Sequence, residues 1–132
     1  MEIMFEKGIP GFEEYKSFNV SNIDGNEKLK MITSKENSNI GFVSISPFKV
    51  KKDYELDLNN EVINELKIEK PEDVLVLNLI TLGKTLETST VNLKAPIIIN
   101  IKNNKGKQLI LQDDKYNIKE PLIGSEDNVS NY

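Results

Sequence analysis

The sequence predicts a mostly β chain: a small antiparallel β-barrel-like or sandwich domain with one short helix. Three observations carry this expectation. Strand-like runs outnumber helical ones and recur at intervals of about ten residues, the spacing of sandwiches and small barrels. Residues 53–58 alternate polar and apolar side chains with a period of two. Asn103-Asn104-Lys105-Gly106 lies between two apolar runs, which is hairpin chemistry.

The elements follow in chain order. Gly8-Ile9-Pro10-Gly11-Phe12 reads as a rigid turn. Pro10 fixes its own φ and pushes Ile9 to an extended conformation, while Gly11 permits positive φ. Residues 15–23 carry no decisive period. Leu29 to Ser34 and Ile40 to Ile45 read as strands, joined by the turn-rich Lys35-Glu36-Asn37-Ser38-Asn39. In residues 53–58, Asp53, Glu55 and Asp57 face one way and Tyr54, Leu56 and Leu58 the other, which predicts a half-buried strand. Asn59 or Asn60 can cap a helix running to about Leu66, whose Val62, Ile63 and Leu66 share a face. Pro71-Glu72-Asp73 is a turn. Val74 to Thr81 is the apolar run expected of a central strand, and Ser89 to Leu93 a further one. Ile97 to Lys102 and Lys107 to Leu111 form the arms of the hairpin. Residues 1–124 are expected to form one domain, and the small, polar residues 125–132 a loose tail.

Composition narrows the function classes. A chain of 132 residues can bury one core without a covalent staple. Cys is absent, which excludes disulfides and thiolate chemistry and suits a reducing cytoplasm. No apolar run approaches the roughly 18 residues of a membrane-spanning helix, and the first seven residues lack the pattern of a signal peptide. The net charge of −4 disfavours nucleic acid and anionic membranes as partners. The lysines Lys49, Lys51 and Lys52, and Lys102, Lys105 and Lys107, have no interleaved aromatics and read as solvated edges and turn tips.

The inventory also argues against catalysis. With no His, the usual general base and the commonest metal ligand are both missing. Asp53-x-Glu55-x-Asp57-x-Asn59 begins like a calcium loop, but its sixth position is Leu58 instead of Gly and its twelfth Asn64 instead of Glu. A strand with a solvated acidic face accounts for the same alternation. No phosphate-cradling glycine motif is present. No metal and no cofactor are expected. Two stretches remain distinctive beyond what a β core requires: Gly8 to Phe12, and Asn92-Leu93-Lys94-Ala95-Pro96-Ile97-Ile98-Ile99-Asn100 followed by Gly106-Lys107-Gln108. Both read as rigid turns and strands that shape a surface, and the chain as a binding protein.

The blocks Phe5, Gly8 to Phe12, Pro47-Phe48, Asp53-Tyr54-Glu55, Pro71 to Leu75, Thr81, Asn92 to Asn100, Gly106-x-Gln108 and Tyr116 through Pro121-Leu122, in this order and spacing, resemble the FliW family of bacterial flagellar assembly factors. The resemblance implies a cytoplasmic, non-enzymatic protein, monomeric when free, that acts by binding other proteins. It implies flagellin as one partner and CsrA, the RNA-binding translational repressor of flagellin messenger RNA, as the other. Flagellin would compete for the chain, and the chain would antagonise CsrA allosterically. Family members usually carry a strand before the segment matching Ile3 to Phe5, so a missing first strand and an exposed edge are expected here. Ser46 stands where the family often has Asp, and Lys52 where it often has Pro. The partner face is expected at Ile9, Pro10, Phe12, Tyr54, Glu55, Asn92, Pro96 and Asn100. The runner-up reading is a generic β-domain adaptor with no flagellar role.

Overall fold

The structure, a computed structural model, describes residues 1–123. Nine strands are built: β1 (Glu2–Met4), β2 (Ser17–Ile23), β3 (Asn26–Ser34), β4 (Gly41–Ile45), β5 (Val74–Thr81), β6 (Thr90–Val91), β7 (Ile97–Asn100), β8 (Lys105–Gln108) and β9 (Glu120–Pro121). The one α-helix among the described residues, α1, spans Asn60–Leu66. The expected class, mostly β with a single short helix, is the one observed.

The sheet order is β4-β3-β2-β1-β8-β7-β5-β6-β9, and a further pairing of β4 with β5 turns the sheet back on itself as a ring. The apolar run of β5 is central, as its sequence predicts. Residues 74–77 pair with β7, Asn78 and Leu79 with β4, and Ile80 and Thr81 with β6. All pairings are antiparallel except one. β1 meets β8 in parallel, at the single pair Met4 and Lys105. The chain leaves β1 through the Gly8 turn to become β2, so the direction of β1 is set by that hairpin and not by β8.

Burial sorts the apolar residues into three clusters. Inside the ring lie Ile3, Phe5, Ile9, Phe18, Val20, Ile32, Leu77, Ile97 and Ile99. On the outer face, Leu29, Ile45, Tyr54, Val91, Leu93 and Tyr116 form a second cluster. Under α1, Val62 and Leu66 pack on Val76 and Ile98. Ile97, Ile98 and Ile99 alternate between the inner cluster and the floor beneath α1, so β7 is buried on both faces and reads as a continuous apolar run.

Local chemistry explains the elements. The Asn59 side chain accepts from the Val62 N–H at 2.9 Å, capping α1 where the sequence places the cap. Asp24-Gly25, with Gly25 at φ 83°, turns β2 into β3 just after the segment 15–23, whose period is indecisive. The β7–β8 hairpin turns two residues earlier than expected. Asn104, at φ 60°, takes the left-handed position, and Gly106 lies inside β8. The reason is packing: a Cβ on Gly106 would come within 2.6 Å of the Phe5 ring. Residues 53–58 do not join a sheet. Their alternation of burial is real, with Tyr54, Leu56 and Leu58 turned inward, but no strand lies beside them. The expected strand over Ser89–Leu93 shortens to Thr90–Val91, and β9, paired to it, has no clear signal of its own. The expected tail at 125–132 lies outside the described residues.

Candidate functional site

The eight residues singled out by sequence fall in three places. In the N-terminal turn, Ile9 is buried in the inner cluster and its carbonyl accepts from the Phe12 N–H at 2.7 Å. Phe12 is half-buried, edge-on to Phe42 with centroids 5.1 Å apart. Pro10 faces solvent. Gly8 adopts φ 71°, and a side chain there would collide with the Glu13 backbone at 2.5 Å. The turn is thus held rigid, with one apolar residue anchoring it and Pro10 at its tip.

The second place surrounds Tyr54. This side chain is buried, and its hydroxyl donates to the Leu93 carbonyl at 2.9 Å. Burial pushes its phenol pKa up, so the group stays a neutral donor. Tyr116 stacks on it at 4.4 Å, and Phe48 meets it edge-on at 5.7 Å. The Glu55 N–H donates to the Tyr116 hydroxyl at 2.6 Å. The exposed Glu55 carboxylate pairs with Lys115 at 3.0 Å, and Lys115 lies 5.5 Å from the Tyr116 ring centroid. Asn92 is half-buried. Its Oδ1 accepts from the Lys94 N–H at 3.1 Å, and its carbonyl accepts from the Asn78 amide at 2.8 Å. These contacts strap residues 109–119 and 51–58 to the outer face.

The third place is the path of β7. Pro96 is buried, with its carbonyl accepting from the Leu109 N–H at 2.8 Å. Asn100 is 1% exposed. Its amide donates to the carbonyls of Leu66 and Lys67 at 2.8 and 3.1 Å, and its Oδ1 accepts from the Lys102 N–H at 2.9 Å. Asn103 adds a second donor to Leu66 at 2.9 Å. Asn100 therefore closes the C-terminal end of α1, where Lys67 turns left-handed at φ 54°.

Of the eight, Pro10 and Glu55 face solvent, Phe12 and Asn92 are half-buried, and Ile9, Tyr54, Pro96 and Asn100 are buried with structural partners. The surface they shape is more informative than the residues themselves. Beside α1 runs an apolar groove of about 600 Å³. Its walls are Leu56, Asp57 and Leu58 on one side and Ile63 and Ile68 on the other, with Val74 and Val76 of β5 as floor. Phe48, 47% exposed, stands at one end. Sequence reading missed Phe48, Leu56, Leu58 and Ile68 as site residues, although the alternation around Leu56 and Leu58 was visible. Large apolar side chains left open to water mark interaction surfaces. Among the described residues there is no group of three acidic, His or Cys side chains placed to hold a metal, and no helix long and apolar enough to cross a membrane.

Comparison with known proteins agrees with this surface-shaping architecture. A family model described as FliW protein matches residues 1–122. The flagellar assembly factor FliW of Clostridioides difficile (strain 630) is 49% identical over 123 residues, covering 93% of this chain and 95% of that protein. The flagellar assembly factor FliW of Clostridium novyi (strain NT) is 53% identical over 121 residues, covering 92% of this chain and 85% of its own. A crystal structure of the flagellar assembly factor FliW superposes with a TM-score of 0.89 at 34% identity, over 95% of this chain and 87% of that one.

Proposed function

The chain belongs to the FliW family of flagellar assembly factors, and from that premise we propose that it works in the bacterial cytoplasm as a partner switch. It binds newly made flagellin. When free of flagellin it binds CsrA and antagonises it allosterically, so that flagellin messenger RNA is translated. Rising flagellin then occupies the chain and releases CsrA to repress. The regulation is mass action between two partners drawing on one pool. The free chain is a monomer, and its work is binding, without chemistry.

The observation that carries this reading is the match along nearly the whole chain, 49% identical to a flagellar assembly factor over 93% of its length. Three physical features support it. The chain has no His and no Cys from which to build a common catalytic centre. The residues that match in blocks stiffen the molecule around a groove open to solvent, as Tyr54 and Asn100 do. The acidic net charge favours encounter with a basic, RNA-binding partner.

Calorimetry with flagellin and CsrA from the same organism, singly and in competition, tests the proposal. Binding of both, with flagellin displacing CsrA, supports it. Binding of neither overturns it.

A further inference from the structure

Residues 56–58 have the side-chain pattern of a β-strand without the strand's partner. Leu56 and Leu58 are half-buried against the groove and Asp57 is exposed, so inward and outward positions alternate. The main chain here is unpaired. Glu55 gives its N–H to Tyr116, and Val62 gives its own to the Asn59 side chain. Between them, the N–H and C=O groups of Leu56, Asp57 and Leu58 make no hydrogen bond within the described protein. A row of free donors and acceptors beside an apolar trough is a template for one more strand. By contrast, the edge at β9 is two residues long and contains Pro121, which blunts it.

Charge gives the added strand its chemistry. Asp53 and Asp57 lie on the outward face of this segment, and Glu69 lines the groove with Asp57. Among the described residues none of the three has a cation within ion-pair distance. Lys70 is the one cation among the lining residues.

We propose that the groove beside residues 56–58 binds an extended segment of a partner protein by strand addition. In that segment apolar residues, which enter the trough between Leu56, Ile63 and Val76, alternate with basic residues that face Asp53 and Asp57. Main-chain bonds supply affinity and the alternating side chains supply selection. The proposal rests on the reading of this chain as a partner-binding factor, and it assigns the groove to the more basic of the two partners.

Amide hydrogen exchange followed by NMR tests it on the intact protein. The probe is a capped seven-residue peptide alternating Lys and Val, with a Glu and Val peptide as control. Strand pairing protects alternate amides, either Leu56 and Leu58 together or Asp57. The Lys peptide is expected to produce this pattern and the Glu peptide not. Asp53→Lys with Asp57→Lys is expected to weaken binding about tenfold at low salt, with the melting temperature as folding control. Equal protection by both peptides, or protection only at another edge, overturns the proposal. The same exchange experiment with flagellin and CsrA separates the two readings. Binding of CsrA, the more basic partner, with residues 56–58 left unprotected removes the strand-addition assignment and leaves the proposed function standing. Peptide protection without binding of either protein does the reverse.

Discussion

Asn100 holds the last turn of α1 by donating its side-chain amide to the carbonyl of Leu66 at 2.8 Å. The same amide reaches Lys67, and the side-chain oxygen accepts from the Lys102 N–H. One buried side chain thus joins the helix end to the start of the β7–β8 turn. Replacing it removes the partners of the Lys67 carbonyl and the Lys102 N–H and leaves the Leu66 carbonyl to Asn103 alone. Asn100→Ala is expected to cost about 1–3 kcal/mol, read as a lower urea midpoint with an unchanged slope.

Gly106 is needed because Phe5 and Ile3 occupy the space where its side chain would lie. An added Cβ falls 2.6 Å from the Phe5 ring and 2.9 Å from Ile3. Gly106→Ala should destabilise by about 1–3 kcal/mol through overpacking. Pairing it with Phe5→Leu should recover part of that loss, giving non-additive shifts in a double-mutant cycle of melting temperatures.

Glu65 is the carboxylate on which Lys107 and Lys7 converge, at 2.9 and 3.0 Å. The hydrogen bond from Lys107, and then that from Lys7, lowers its pKa below the usual carboxylate value. A lowered folded-state pKa contributes stability above the unfolded-state value, and that contribution fades as pH falls through the folded-state value. Glu65→Gln is therefore expected to melt lower than the parent near neutral pH. The two curves should converge once the pH drops well below 4. A difference that persists there would assign the effect to packing. High salt should shrink the difference at neutral pH as well.

The N-terminal turn separates anchor from tip. Ile9 is 1% exposed, and Ile9→Ala should cost about 2–5 kcal/mol. Pro10→Ala and Glu55→Ala lie at the surface and should change stability by less than about 1 kcal/mol. Both belong to the partner face expected from the sequence, and both should weaken partner binding in calorimetry. Unchanged affinity in both would remove them from the interface.

Much of the fold was legible because its signals are local. The Asn59 cap, the apolar run of β5 and the paired strands over 29–34 and 40–45 each follow from a period or a turn residue. Misplaced boundaries trace to contacts between distant residues. Gly106 reads as a turn glycine until Phe5 is known to lie against it. Residues 53–58 read as a strand because their side chains alternate, and no local signal tells whether a neighbour strand exists. The candidate site was legible only in outline. The blocks around Tyr54 and Asn100 stood out, yet these residues act from within. The groove they frame is assembled from Phe48, Leu56, Ile63 and Val76, which carry no shared motif and meet only through the ring.

The closure of that ring has a temporal consequence. Its β1–β8 join is the contact of Met4 with Lys105, where the Met4 N–H also reaches the Asn104 carbonyl at 2.8 Å. Sequence separations of this kind slow folding, because loop entropy is lost before any contact repays it. On a ribosome adding 5–20 residues per second, Met4 waits roughly 5–20 s for its partner to be made. Until then Ile3 and Phe5 have no Gly106 to pack against. The chain becomes a closed ring only once β8 has been made.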